Sequence, residues 1–127
     1  MKDLGQLEQF EKLIGQLRGL HEEISLLAKK SQNDAVNSFK LRLINKVVDT
    51  ANSILQPDYL PFDDFSEFDS DDVPTNSDVA LVLAQYLEES ERYRADNIEK
   101  YGISWWYVVN GKRTDVQTSA PAKVVRK

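Results

Sequence analysis

The sequence predicts a mainly α fold: three helices running up-down-up as a bundle, an acidic aromatic lid between helices 2 and 3, and a C-terminal β-hairpin. Three observations carry that expectation. Apolar residues recur at helical spacing in three separate stretches, an acidic run rich in rings interrupts them, and the last stretch turns β-branched and aromatic around Asn110-Gly111. At 127 residues, 41% apolar and 29% charged, the chain suits one globular domain with a core of its own. We place that domain at 1–118 and read 119–127, with Pro121 and a basic end, as a flexible tail.

The first helix is expected from Asp3 to about Lys30. Leu7, Phe10, Leu13, Leu17, Leu20, Ile24 and Leu27 recur in steps of three and four, the pattern of a coiled-coil seam. That seam suggests packing within a bundle, or a homodimer formed through this helix. Gly15 and Gly19, four residues apart, share a face and either admit a neighbouring helix or soften an exposed surface. Ser31-Gln32-Asn33-Asp34 breaks the pattern and offers N-cap residues for a second helix over Ala35–Leu55. Its apolar positions, from Val36 and Phe39 through Leu43, Ile44 and Val47 to Leu55, form a stripe wide enough for more than one neighbour. Pro57 closes it by pushing the preceding residue out of the helical region.

Pro57 to Asp72 reads PDYLPFDDFSEFDSDD. It carries Asp58, Asp63, Asp64, Glu67, Asp69, Asp71 and Asp72 and no Lys or Arg, with Tyr59, Phe62, Phe65 and Phe68 threaded between them. Four rings left in water are costly, so they are expected to grip the helices while the carboxylates face outwards. Pro61 is placed to start a short helix through Phe68, and Pro74 ends the segment. A third helix opens at Asn76-Ser77-Asp78 and is expected to run through Ile98 and Tyr101 to a stop at Gly102, with Glu88–Arg92 and Asp96–Lys100 as i,i+4 pairs. Ile103–Val109 and Lys112–Thr118 are the two strands of the hairpin, joined by Asn110-Gly111.

Composition excludes several function classes. There is no cysteine, so disulfides and thiolate metal sites are ruled out. The N-terminal residues lack a signal-peptide pattern and no apolar stretch reaches membrane-spanning length, so a cytoplasmic location is expected. The net charge of −5 disfavours general binding to nucleic acid or to a membrane. His21 is the only histidine, beside Glu22 and Glu23 in mid-helix, and no phosphate loop, dinucleotide fingerprint or metal-ligand pair occurs. Asp69-Ser70-Asp71-Asp72 lacks the glycine and closing glutamate of a calcium loop. No catalytic residue, metal ligand or cofactor is therefore expected.

What remains is a binding surface. Asp63, Asp64, Glu67, Asp69, Asp71 and Asp72 suit a protein partner with a basic surface, the alternative being pairing with the chain's own Lys40, Lys46 or Lys112. The expected function is a non-enzymatic modulator or inhibitor of that partner, of the kind found among accessory proteins of phages and mobile elements. Trp105, Trp106, Tyr107, Lys112 and Arg113 offer a second contact, or a site for a small anionic, nucleotide-like ligand. A purely structural assembly subunit is a third reading.

Overall fold

The structure is a computed structural model that describes residues 1–122. It contains three α-helices, α1 (Leu4–Lys30), α2 (Ser38–Leu55) and α3 (Asn76–Ala95), and an antiparallel sheet of β1 (Ile98–Tyr101), β2 (Ser104–Val109) and β3 (Lys112–Thr118) in that order. Mainly α with C-terminal β structure is thus what the chain adopts. No helix among the described residues is long and apolar enough to cross a membrane. Residues 123–127 of the expected tail lie outside the described residues.

Each helix starts on a side-chain cap. Asp3 accepts the Gln6 N–H at 2.8 Å, and Asn37, rather than the expected Ser31–Asp34 group, accepts that of Lys40 at 2.8 Å. Residues just before Asn37 instead join the two inter-helix linkers side by side, Val36 donating its N–H to Pro74 and Asp34 accepting that of Asn76. Thr75 caps α3 in a reciprocal box with Asp78. The backbone and hydroxyl of Thr75 hold the Asp78 carboxyl below its ordinary range.

The third helix stops seven residues before Gly102. Asn97 caps the carbonyl of Tyr93, Ile98 becomes the first residue of a strand, and Lys100 is carried away from Asp96. The hairpin is accordingly a three-stranded meander. Tyr101 pairs with Ser104 across Gly102-Ile103, with Gly102 at φ +66° in the first central position of a two-residue turn. Asn110 and Gly111, at φ 52° and 77°, make the expected second turn between Val109 and Lys112. Three residues of β3, Thr114–Val116, stand opposite the single Tyr107, and the Thr114 hydroxyl fills the gap by donating to the Tyr107 carbonyl and accepting from the Val116 N–H.

Two apolar clusters hold these elements. The larger unites Leu13, Leu17 and Ile24 of α1 with Leu41, Ile44, Val48 and Leu55 of α2 and Val79, Leu83 and Tyr86 of α3. The smaller docks Ile98 and Tyr107 of the sheet on Leu7, Phe10 and Ile14 of α1. The seam of α1 is therefore packed inside the chain, whereas a Cβ on Gly15 or Gly19 would meet nothing within 4 Å. Burial pushes the phenols of Tyr86, Tyr93 and Tyr107 up, most strongly at Tyr107, where Glu11 adds to it.

Helices and sheet are also tied by a buried ion pair. The Nε of Arg94 donates to both oxygens of Glu91 at 2.7 and 2.9 Å, and its terminal nitrogens reach Thr118 Oγ1, the Ser119 carbonyl and the Ala120 carbonyl at 2.9, 2.9 and 3.0 Å. Burial opposes the charge on Arg94, and Glu91, Tyr107 and Glu11 together outweigh it. Residues 119 and 120 of the expected loose tail are thus held to α3. Arg94→Met strands the Glu91 charge and should lower unfolding stability in urea by about 3–5 kcal/mol, most of it recovered in the Arg94→Met/Glu91→Met double variant. A single variant within about 1 kcal/mol of wild type would contradict this role.

Candidate functional site

Rings in the acidic segment turn inward. Phe68 is buried, and Tyr59, Phe62 and Phe65 are half-buried against the larger cluster. Phe65 lies 5.0 Å from Phe68 and 6.3 Å from Tyr86 between ring centroids, and Phe62 lies 6.5 Å from Tyr86, all in tilted or edge-to-face geometry. Tyr59 meets Tyr93 edge-on at 5.2 Å, and its hydroxyl donates to Asp96 at 2.6 Å. The short helix expected over 61–68 does not form. A three-residue spacing of rings fits a polyproline-type extension as well as a helical turn, and the one helical turn is a 3₁₀ turn at Ser70–Asp72.

Two asparagines of α2 hold this segment by its backbone. Asn45 Nδ2 donates to the Phe68 carbonyl at 2.8 Å while its Oδ1 accepts the Phe68 N–H at 2.8 Å. One heptad later, Asn52 Nδ2 donates to the Phe65 carbonyl at 3.2 Å, and its Oδ1 accepts the Tyr86 hydroxyl at 2.6 Å. Neither asparagine stands out in the sequence, since mid-helix Asn ordinarily signals a solvated face. Their separation of seven residues, which places both on one side of α2, is the signal available.

With the rings and backbone fixed, the carboxylates of Asp63, Asp64, Glu67, Asp69, Asp71 and Asp72 are all exposed. Ion pairs among the described residues join Lys40 to Glu23, Arg92 to Glu88 and Glu89, and Arg94 to Glu91, so none of the six is neutralised by a described cation of the chain. Asp69 has one internal partner, the Asp71 N–H at 2.9 Å, which caps the 3₁₀ turn. Val73 then closes that turn at φ 48°, a left-handed conformation that costs a β-branched residue about 1–2 kcal/mol, and it is 59% exposed. This strained apolar side chain beside Asp71 and Asp72 is a surface feature that periodicity does not reveal.

The residues expected to make a second site are divided between the two faces of the sheet. Tyr107 is buried and Trp105 packs on the smaller cluster, both toward α1. Trp106 and Arg113 lie on the outer face, where the Arg113 guanidinium stacks 3.5 Å from the Tyr101 ring centroid. The Trp106 indole N–H is buried without an acceptor among the described residues. Lys112 sits at the far turn, opposite Val109. His21 Nε2 lies 3.4 Å from Ser25 Oγ within α1. Among the described residues no group of three or more His, Asp or Glu is arranged to hold a metal ion.

No protein-family model, curated protein or solved structure matches this chain. Asn45→Ala removes both bonds to Phe68 and should cost about 1–3 kcal/mol. Amide exchange at Phe68 should quicken while exchange in α1 holds its order of protection. Unchanged protection at Phe68 would show that Asn45 does not hold the segment.

Proposed function

We propose that this protein is a non-enzymatic binding protein whose acidic lid docks on a protein partner with a basic surface and modulates it. One observation supports the reading above all others: the six carboxylates from Asp63 to Asp72 are exposed and unpaired among the described residues, while the neighbouring rings are turned into the core. Like charges held this close repel one another, and a cationic partner relieves that repulsion. Such a field speeds association and selects against acidic competitors, and it weakens as salt shortens the Debye length to about 10 Å near 0.1 M. Val73, 59% exposed, supplies an apolar contact beside it, and the outer face of the sheet, with Ile103 98% exposed at the β1–β2 turn, offers a second contact elsewhere.

The experiment is capture by the immobilised protein from a lysate of its native host at two salt concentrations. Asp63→Asn, Asp64→Asn, Asp71→Asn and Asp72→Asn together spare the Asp69 cap, so the helical signal should be unchanged and a salt-sensitive partner lost. Capture that survives those four substitutions would refute the proposal. In parallel, tryptophan fluorescence should show no saturable change with nucleotides. A saturable change abolished by Lys112→Ala would instead favour a ligand-binding protein.

A further inference from the structure

Apart from the 3₁₀ turn at Ser70–Asp72, residues 56–75 join α2 to α3 without regular structure. Connections longer than about 12–15 residues usually either serve a function or stay loose. A loose lid would have to order itself on a partner, and the backbone freedom lost there would subtract from affinity. This lid is instead fastened along its length. Tyr59 donates its N–H to the Leu55 carbonyl at 2.9 Å, Asn52 holds the Phe65 carbonyl, and Asn45 holds both backbone groups of Phe68. Its far end is zipped to the connection between α1 and α2. Pro74 accepts the Val36 N–H at 3.0 Å, and Asp34 and Gln32 accept the N–H groups of Asn76 and Ser77 at 2.8 and 3.1 Å. Asn76 is buried, and its Nδ2 donates at 3.0 Å to the carbonyl of Ser31, the cap that ends α1.

The three asparagines share one way of working. Each spends its side-chain amide on a backbone group, and none carries charge. The field of the lid and its shape are therefore set by different residues: the carboxylates supply the first, and the amides fix the second. A surface already in its binding shape binds with its full intrinsic affinity, whereas one that visits that shape only part of the time binds more weakly by that fraction. We infer that Asn45, Asn52 and Asn76 are positioning residues of the docking surface, which hold the lid in its binding shape before a partner arrives. The inference rests on the docking reading, and it concerns the path of the chain and not its charge, so the two fail separately.

Two measurements on the full chain test it. Amide 15N relaxation of the free protein should give residues 63–72 order parameters near those of the helices, about 0.85, and values below about 0.6 would overturn the inference without any partner in hand. The second uses the protein whose capture the four Asp→Asn substitutions abolish. Asn45→Ala and Asn76→Ala should each raise its Kd about tenfold, as the binding shape falls to about a tenth of the population. The slope of log Kd against log salt should stay that of the natural chain, because every carboxylate is retained. A purely structural clamp would lower stability and leave Kd of the folded protein unchanged, so an unchanged Kd in both variants would overturn the inference while the docking reading stands. A shallower salt slope would also overturn it, by showing that charge contacts and not shape had been lost. Should Asn76→Ala lose its helical circular dichroism, the half-buried Asn45 decides the matter through Asn45→Ala alone.

Discussion

The segment between α2 and α3 must be held by its rings and its backbone, because its charges find no counter-ions among the described residues. Phe68 and the partly covered Tyr59, Phe62 and Phe65 supply apolar burial, at about 1.5–3 kcal/mol for a side chain as fully covered as Phe68. Asn45 and Asn52 satisfy backbone groups of the segment where it lies against α2. That division of labour leaves every carboxylate on the outside. It also makes Tyr86 central, since its ring meets Phe62 and Phe65 while its hydroxyl orients Asn52.

The sheet is attached by a different device. Its inner face adds Ile98 and Tyr107 to the N-terminal half of α1, and Arg94 binds the chain beyond β3 to α3. A buried guanidinium is tolerable only with its donors occupied, and here Glu91, Thr118, Ser119 and Ala120 occupy them. The outer face carries Trp106, Tyr101 and Arg113. Splitting Trp105 and Tyr107 from Trp106 follows from the two-residue period of a strand, which sends neighbouring side chains to opposite faces.

Much of this arrangement was legible in the residues. The steps of three and four from Leu7 to Leu27 marked the buried side of α1, Asn110-Gly111 marked a turn, and the alternation of rings and carboxylates marked which side of the acidic segment faces the core. The end of α3 was not legible, because Glu88–Arg92 and Asp96–Lys100 continue a helical charge pattern past the point where Ile98 joins a sheet. Strand pairing is a long-range fact, and local spacing does not report it. Arg94 was hidden for the same reason: on a helix it resembles a solvated charge, and its partners at Thr118, Ser119 and Ala120 come from the returning chain. Asn45 and Asn52 became visible as clamps only once Phe65 and Phe68 lay against them.

The acidic side chains of this segment do not hold the fold together. Urea unfolding of a variant with Asp63, Asp64, Asp71 and Asp72 changed to Asn and Glu67 changed to Gln tests it most directly. Stability at low salt should equal or exceed that of the natural chain, because only mutual repulsion is removed. A loss of about 1 kcal/mol or more would show instead that those groups are paired within the protein and help to hold it.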